Sequence, residues 1–183
     1  MLADKTGRNM RGYVALVVFS VIAPVACQSR AMSEESKDSQ ASCREWDKRV
    51  DPRLGDSGIY PDRLPPDPEV LVAISCLLKQ RGNKEPARFS GATRPGVSQQ
   101  LPSATIELAA LYYISYLFTG NPQHGDGVAL WNQDGVINPP GSADAAYTAY
   151  RIWFRRVRSL GLAEARKRRL DPLKGTALRW YGK

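Results

Sequence analysis

The chain has 183 residues, of which 43% are hydrophobic and 24% are charged, and its formal net charge is +8. This length fits one compact domain after a targeting segment, and the apolar content excludes a largely disordered chain. A single histidine excludes a multi-histidine metal site, and three cysteines exclude a zinc ribbon that needs four thiolates. The positive charge favours anionic partners, and we expect no metal and no cofactor.

Residues 1–26 have the pattern of a signal peptide. Lys5, Arg8 and Arg11 form a basic start, and the uncharged, mostly apolar segment 13–26 follows them. This segment is too short to span a bilayer comfortably, but it suits the apolar core of a signal peptide. The pattern therefore predicts export rather than a transmembrane helix.

The apolar segment ends in a small residue, Ala26, directly before Cys27. This ending resembles the lipobox of bacterial lipoproteins, with Pro24 where the lipobox prefers an aliphatic residue. The resemblance implies cleavage before Cys27, a lipid on that cysteine, and a position in the bacterial cell envelope that faces the periplasm. Gln28 then implies the outer membrane in an organism with two membranes. Cleavage after Ala31, which releases a soluble exported protein, and an uncleaved anchor are the alternatives.

Export changes how the other cysteines are interpreted, because the envelope permits disulfides. Once Cys27 is lipidated or removed, Cys43 and Cys76 form an even pair, and we expect a disulfide between them. The alternative is a free Cys76 thiol buried in an apolar helix. We assign residues 27–50 to the lipid-anchor cysteine and a flexible tether, which begins with a long polar stretch, and residues 51–183 to a single helical domain.

The domain contains four predicted helices, the last of them short, at about 68–81, 104–119, 143–160 and 162–169. We expect Asp67 to cap the first helix and Ser103 the second, because both are polar residues next to an apolar segment. The first two helices are apolar on nearly every side and should be buried, whereas the third has one apolar face.

The segment between the second and third helices predicts a small β-hairpin. Apolar residues at 128–131 and 136–137 flank a turn, with Gly135 in a left-handed position. The apolar residues of the segment 170–183 are expected to fold back onto the core. The whole pattern predicts a mainly α domain: a small bundle of stacked helical hairpins, HEAT-like at most, with one short β-hairpin insertion.

Two residues are weak candidates for catalysis. His124 lies in a polar loop beside Asp126, and these two side chains could act as a base and its orienting carboxylate. Glu107 is the one carboxylate on an otherwise apolar helix, so it must be paired, lie in the exposed first turn, or stay protonated. A structural role is the alternative for both, as a turn hydrogen bond for His124 and as an anion near the helix start for Glu107.

A basic segment carries the strongest functional signal. Arg151, Arg155 and Arg158 are spaced by four and three, so they share one face of the third helix. The other members of the predicted binding set follow directly in the chain: Arg166, Lys167, Arg168 and Arg169. Such a surface suits an acidic protein partner or an anionic envelope component, such as lipid phosphates. The alternative is a solvated face whose arginine stems cover apolar surface.

These patterns favour a non-catalytic envelope lipoprotein that binds an acidic partner through a basic helical face and reaches the membrane through its lipid anchor. An immunity-type protein that blocks an exported toxin is a narrower form of this hypothesis. Nucleic acid is the least expected partner, because an exported protein rarely meets it. The second hypothesis is an envelope hydrolase that acts on peptidoglycan through Glu107 or His124.

Overall fold

The structure is a computed structural model that describes residues 43–51, 64–87, 101–121 and 127–183. Within these ranges the fold is mainly α, with one two-stranded antiparallel sheet. The predicted signal peptide, the lipidation site at Cys27, the alternative cleavage site and His124 lie outside the described residues.

The four predicted helices are present: α1 (Asp67–Leu77), α2 (Ile106–Thr119), α3 (Ser142–Leu160) and α4 (Leu162–Lys167). The short 3-10 turn Leu78–Gln80 continues α1. With this turn included, each helix begins and ends within about two residues of its prediction. In the part of the chain that the structure describes, no helix combines the length and the apolar character that crossing a membrane requires.

The predictions of the two N-terminal helix caps were wrong. Asp67 is the first residue of α1 rather than its cap, and its carboxylate instead accepts a hydrogen bond from Arg166. Ser103 does not cap α2, because Thr105 is extended in a β-bridge and α2 begins only after it. At the other end, Gly120 ends α2 with a left-handed φ of 70°, a conformation that glycine adopts readily.

The central helix of the domain is α2, in which every residue from Ile106 to Phe118 is buried. All three other helices contact it. The helix α3 turns one face toward this core, and the residues of that face recur mostly at intervals of three and four: Ala146, Tyr147, Tyr150, Trp153, Phe154 and Val157. The arginines of α3 consequently lie on its solvent side.

The sheet joins β1 (Leu130–Asn132) to β2 (Leu178–Trp180) in antiparallel register. The predicted hairpin is present as a turn. An isolated β-bridge between Trp131 and Ile137 closes this turn, and Gly135 within it has a φ of 78°. The regular partner of β1, however, is the C-terminal strand. The C-terminal segment therefore folds back onto the core, as the sequence predicts.

A disulfide joins Cys43 to Cys76, whose Cα atoms lie 5.1 Å apart. The sequence predicts this bond. It fastens the helical segment 43–47 to α1, and Val50, a few residues later, is fully buried in the core. Residues 43–50, which the sequence pattern places in the tether, thus contact the domain through the disulfide and the buried Val50.

Candidate functional site

A groove of about 630 Å³ lies between the end of α1 and the outer face of α3. Five cations line it, and we call it the basic groove: Lys79 and Arg81 from the end of α1, and Arg151, Arg155 and Arg158 from α3. The predicted arginine face is therefore one wall of a concave surface. A concave, cationic surface attracts and holds anionic groups more strongly than an isolated charge does.

The three α3 arginines that line the groove are exposed, and none of them has an ion pair or a hydrogen bond with a side chain in the ranges that the structure covers. On the other wall, an ion pair offsets the positive charge of Arg81. Arg81 Nε lies 2.9 Å from the Asp144 carboxylate, and Lys79 Nζ donates a hydrogen bond to Cys43 Sγ over 3.4 Å. The excess positive charge is consequently concentrated on the α3 wall.

The basic groove also contains apolar surface. Ile152 lines it beside the arginines and is 57% exposed, which is high for a large aliphatic residue. Leu78 and Phe154 form the buried part of the lining. The groove therefore offers both charge and an apolar contact.

Arg166, which the sequence assigns to the binding set, has internal partners. Its Nη1 lies 2.8 Å from the Asp67 carboxylate, while Nε and Nη2 donate to the backbone oxygens of Phe118 and Leu117 over 2.8 and 2.9 Å. These bonds tie α4 to α1 and to the end of α2. The side chain thus contributes to the fold.

The remaining predicted cations lie around the end of α4. Arg168 pairs with Glu164 over 2.7 Å. Lys167 and Arg169 are exposed, and Arg169 lines a different cavity from the basic groove. The structure therefore divides the predicted binding set between two places.

Glu107 is 2% exposed, although it lies in the first turn of α2. Its Oε1 accepts a hydrogen bond from Lys84 Nζ, and its Oε2 accepts one from the Gly82 backbone N–H over 3.0 Å. Both carboxylate oxygens thus hold the loop after α1 against the start of α2. This geometry fits a structural role, because a substrate does not reach a carboxylate that is buried and already accepts two hydrogen bonds.

His124 lies outside the described residues. Within the described ranges, His, Cys, Asp and Glu side chains form no group of three or more that could hold a metal ion.

Sequence reasoning missed Lys79, Arg81 and Ile152 as parts of the groove. The two cations follow the end of the first helix directly, which is a usable signal, but their distance in sequence from α3 hides the contact. Comparison of the chain with protein-family models, with curated proteins and with solved structures finds no match.

Proposed function

We propose that this protein is a non-catalytic binding module that captures an acidic protein partner in its basic groove. The observation that carries the proposal is the α3 wall, where Arg151, Arg155 and Arg158 are exposed beside the exposed Ile152 and have no counter-ion among the residues that the structure describes. Such a wall steers an anionic partner toward itself and orients it on arrival.

The apolar contact favours a protein over a simple polyanion. An interface gains most of its affinity from buried side chains near its centre, with charged pairs around them. Ile152 lies among the arginines, so a partner with one apolar side chain surrounded by carboxylates fits both features. Lipid phosphates or an anionic envelope polymer would use the charges and leave Ile152 exposed to water.

The setting that we propose is the bacterial envelope, with cleavage before Cys27 and a lipid on that residue. The disulfide supports this setting, because such bonds persist in oxidising compartments. The polar segment 28–42, which lies outside the described residues, would then link the lipid to the domain. The domain would face the periplasm, on the outer membrane where there are two membranes.

We interpret the helices as stacked helical hairpins, HEAT-like at most, which leave the solvent side of α3 open along its length. An immunity-type protein that occludes an exported toxin is a narrow form of this function, because occlusion needs a partner-shaped surface and no catalytic group.

Charge reversal at the groove tests the binding proposal. The variant Arg151→Glu, Arg155→Glu, Arg158→Glu should bind an amphipathic peptide of glutamate and leucine at least tenfold more weakly than the native protein does, and its binding should depend less on salt. The matched control reverses three exposed cations outside the groove: Arg156, Lys167 and Lys174. Equal loss in both variants would show a general charge effect and overturn the role of the groove.

Ile152→Ser distinguishes the class of partner. It should weaken binding of the glutamate–leucine peptide and leave binding to polyglutamate and to phosphatidylglycerol vesicles unchanged. If vesicles bind as tightly as the peptide and Ile152→Ser weakens neither interaction, the partner is an anionic lipid surface and the proposal of a protein partner is wrong.

The intact mass and N-terminus of the mature protein test the setting. A lipid-modified Cys27 at the N-terminus, recovered from a membrane fraction, is the expected result. An N-terminus at Met1, or one after Ala31, would remove the lipid anchor from the proposal.

A further inference from the structure

A second cavity, of about 360 Å³, lies where the end of α2 meets α3 and the C-terminal segment. We call it the aromatic cavity, after the rings of Phe118, Trp153 and Trp180 that line it. Phe118 and Trp153 meet edge to face with ring centroids 4.9 Å apart, and Leu170 adds aliphatic surface. Its size and its largely apolar lining are those of a small-molecule site.

The aromatic cavity has a polar group in its lining that is held in place. Ser115 Oγ accepts a hydrogen bond from Trp180 Nε1 over 3.2 Å and shares another with the Tyr150 hydroxyl. Trp180 Nε1 also donates to Tyr150 Oη over 3.0 Å. These three buried side chains hydrogen-bond one another, which holds the Trp180 ring in the wall of the cavity.

Three cations and one carboxylate line the same cavity, and two of the cations have partners. Arg166 donates to backbone oxygens and to Asp67, and Lys183 Nζ lies 3.1 Å from the Asp171 carboxylate. The side chain of Arg169 has no ion pair or hydrogen bond with any residue that the structure describes. Its guanidinium is therefore available to an anionic group in the cavity.

Arg169 also occupies a backbone position that favours glycine. Its φ is 50°, in the left-handed region, at the end of α4. Its N–H donates to Arg166 O over 2.9 Å, and the next N–H, of Leu170, donates to Ala165 O over 3.1 Å, which is the Schellman pattern. Glycine adopts this conformation without strain, whereas an arginine there costs folding free energy. A strained residue beside a cavity points to a role for its side chain.

We infer that the aromatic cavity binds a small amphiphilic carboxylate, with its apolar body among the rings and its head on the Arg169 guanidinium. Planar carboxylates match the two parallel N–H groups of a guanidinium. This inference is independent of the basic groove, which lies on another side of α3 and uses different residues.

Decanoate tests the inference, with decyltrimethylammonium as the matched ligand of opposite charge. Isothermal titration of the mature chain should show one decanoate per chain and no saturable binding of the ammonium compound. Arg169→Gly should weaken decanoate binding by about tenfold or more, and Arg169→Lys should retain only part of the affinity, because an ammonium group keeps the charge without the two parallel N–H donors. The midpoint of thermal unfolding of Arg169→Gly should equal or exceed that of the native chain, because glycine relieves the left-handed strain.

Three results would overturn the inference: equal affinity of Arg169→Gly and the native chain, equal binding of both amphiphiles, or several decanoates per chain. The variant with reversed charges at Arg151, Arg155 and Arg158 should bind decanoate normally. The failure of one proposal is thereby distinguishable from the failure of the other.

Discussion

Arg166 on α4 and Asp67 at the start of α1 are 99 residues apart in the chain, and their side chains meet with Nη1 and Oδ1 2.8 Å apart. The same guanidinium donates to the oxygens of Leu117 and Phe118. These oxygens lie in the last turn of α2, where backbone carbonyls have no partner within the helix. One side chain therefore closes the end of α2 and fastens α4 to α1.

Arg166→Ala should lower the free energy of unfolding by about 2–3 kcal/mol, because it removes a partly buried ion pair and leaves two carbonyls without a donor. Arg166→Lys should recover little of this loss, since an ammonium group does not reproduce the guanidinium's fork of donors. Denaturant unfolding measures both variants. The control is Arg168→Ala, which breaks an exposed pair with Glu164 and should cost less than about 0.5 kcal/mol. Equal losses at the two positions would contradict the structural role of Arg166.

Glu107→Gln should lower the free energy of unfolding by about 1–3 kcal/mol, because a buried side chain loses charge-assisted hydrogen bonds to Lys84 and Gly82. The chain should show no peptidoglycan-cleaving activity that depends on this residue. Asp144→Asn is the control, since Asp144 is exposed and pairs only with Arg81 among the described residues; its cost should stay below about 0.5 kcal/mol. Peptidoglycan turnover that disappears in Glu107→Gln, with the fold intact, would restore the hydrolase hypothesis.

The disulfide should contribute about 3–4 kcal/mol to the free energy of unfolding, as expected for a loop of this length. The double variant Cys43→Ala, Cys76→Ala should lose this amount in denaturant unfolding. A reducing agent should destabilise the native chain by a similar amount and leave the double variant unchanged. A native chain that is insensitive to reduction would show that the two thiols are not bonded.

Local patterns predicted the elements of this fold well. Helix periodicity located α3 to within one residue at its start, and the left-handed positions of Gly120 and Gly135 follow from their places after a helix and in a turn. The buried central helix follows from its composition, with one charge, Glu107, among apolar residues. Each of these features depends on residues that are close together in the chain.

Contacts between distant segments were not predictable in the same way. The pairing of β1 with β2 joins Leu130 to Trp180, and no local pattern indicates this partner. Arg166 looks in sequence like part of a solvated basic run, yet its place at the end of α2 makes it structural. Lys79 and Arg81 come close to the α3 arginines only after folding. The sequence therefore did not indicate the wall of the basic groove to which they belong.

The buried tyrosines should make the protein unstable in alkali. Burial raises the pKa of Tyr113 from its usual 10.0 to about 12, and it raises the pKa values of Tyr147 and Tyr150 further. For Tyr147 the charge of Glu107 adds to burial, while for Tyr150 hydrogen bonds with Ser115 and Trp180 oppose it.

An unfolded tyrosine loses its proton near pH 10, so between about pH 10 and pH 12 the unfolded chain holds fewer protons than the folded chain. The stability that these hydroxyls contribute is therefore complete below about pH 10 and is lost as the pH rises through the folded pKa values. Denaturant unfolding at about pH 8, 10 and 11 should show a falling free energy of unfolding. The free energy of unfolding of the Tyr113→Phe variant should fall less steeply with pH, because this variant lacks one of the three buried hydroxyl groups. A free energy of unfolding that is constant from about pH 8 to 11 would contradict the burial of these hydroxyls.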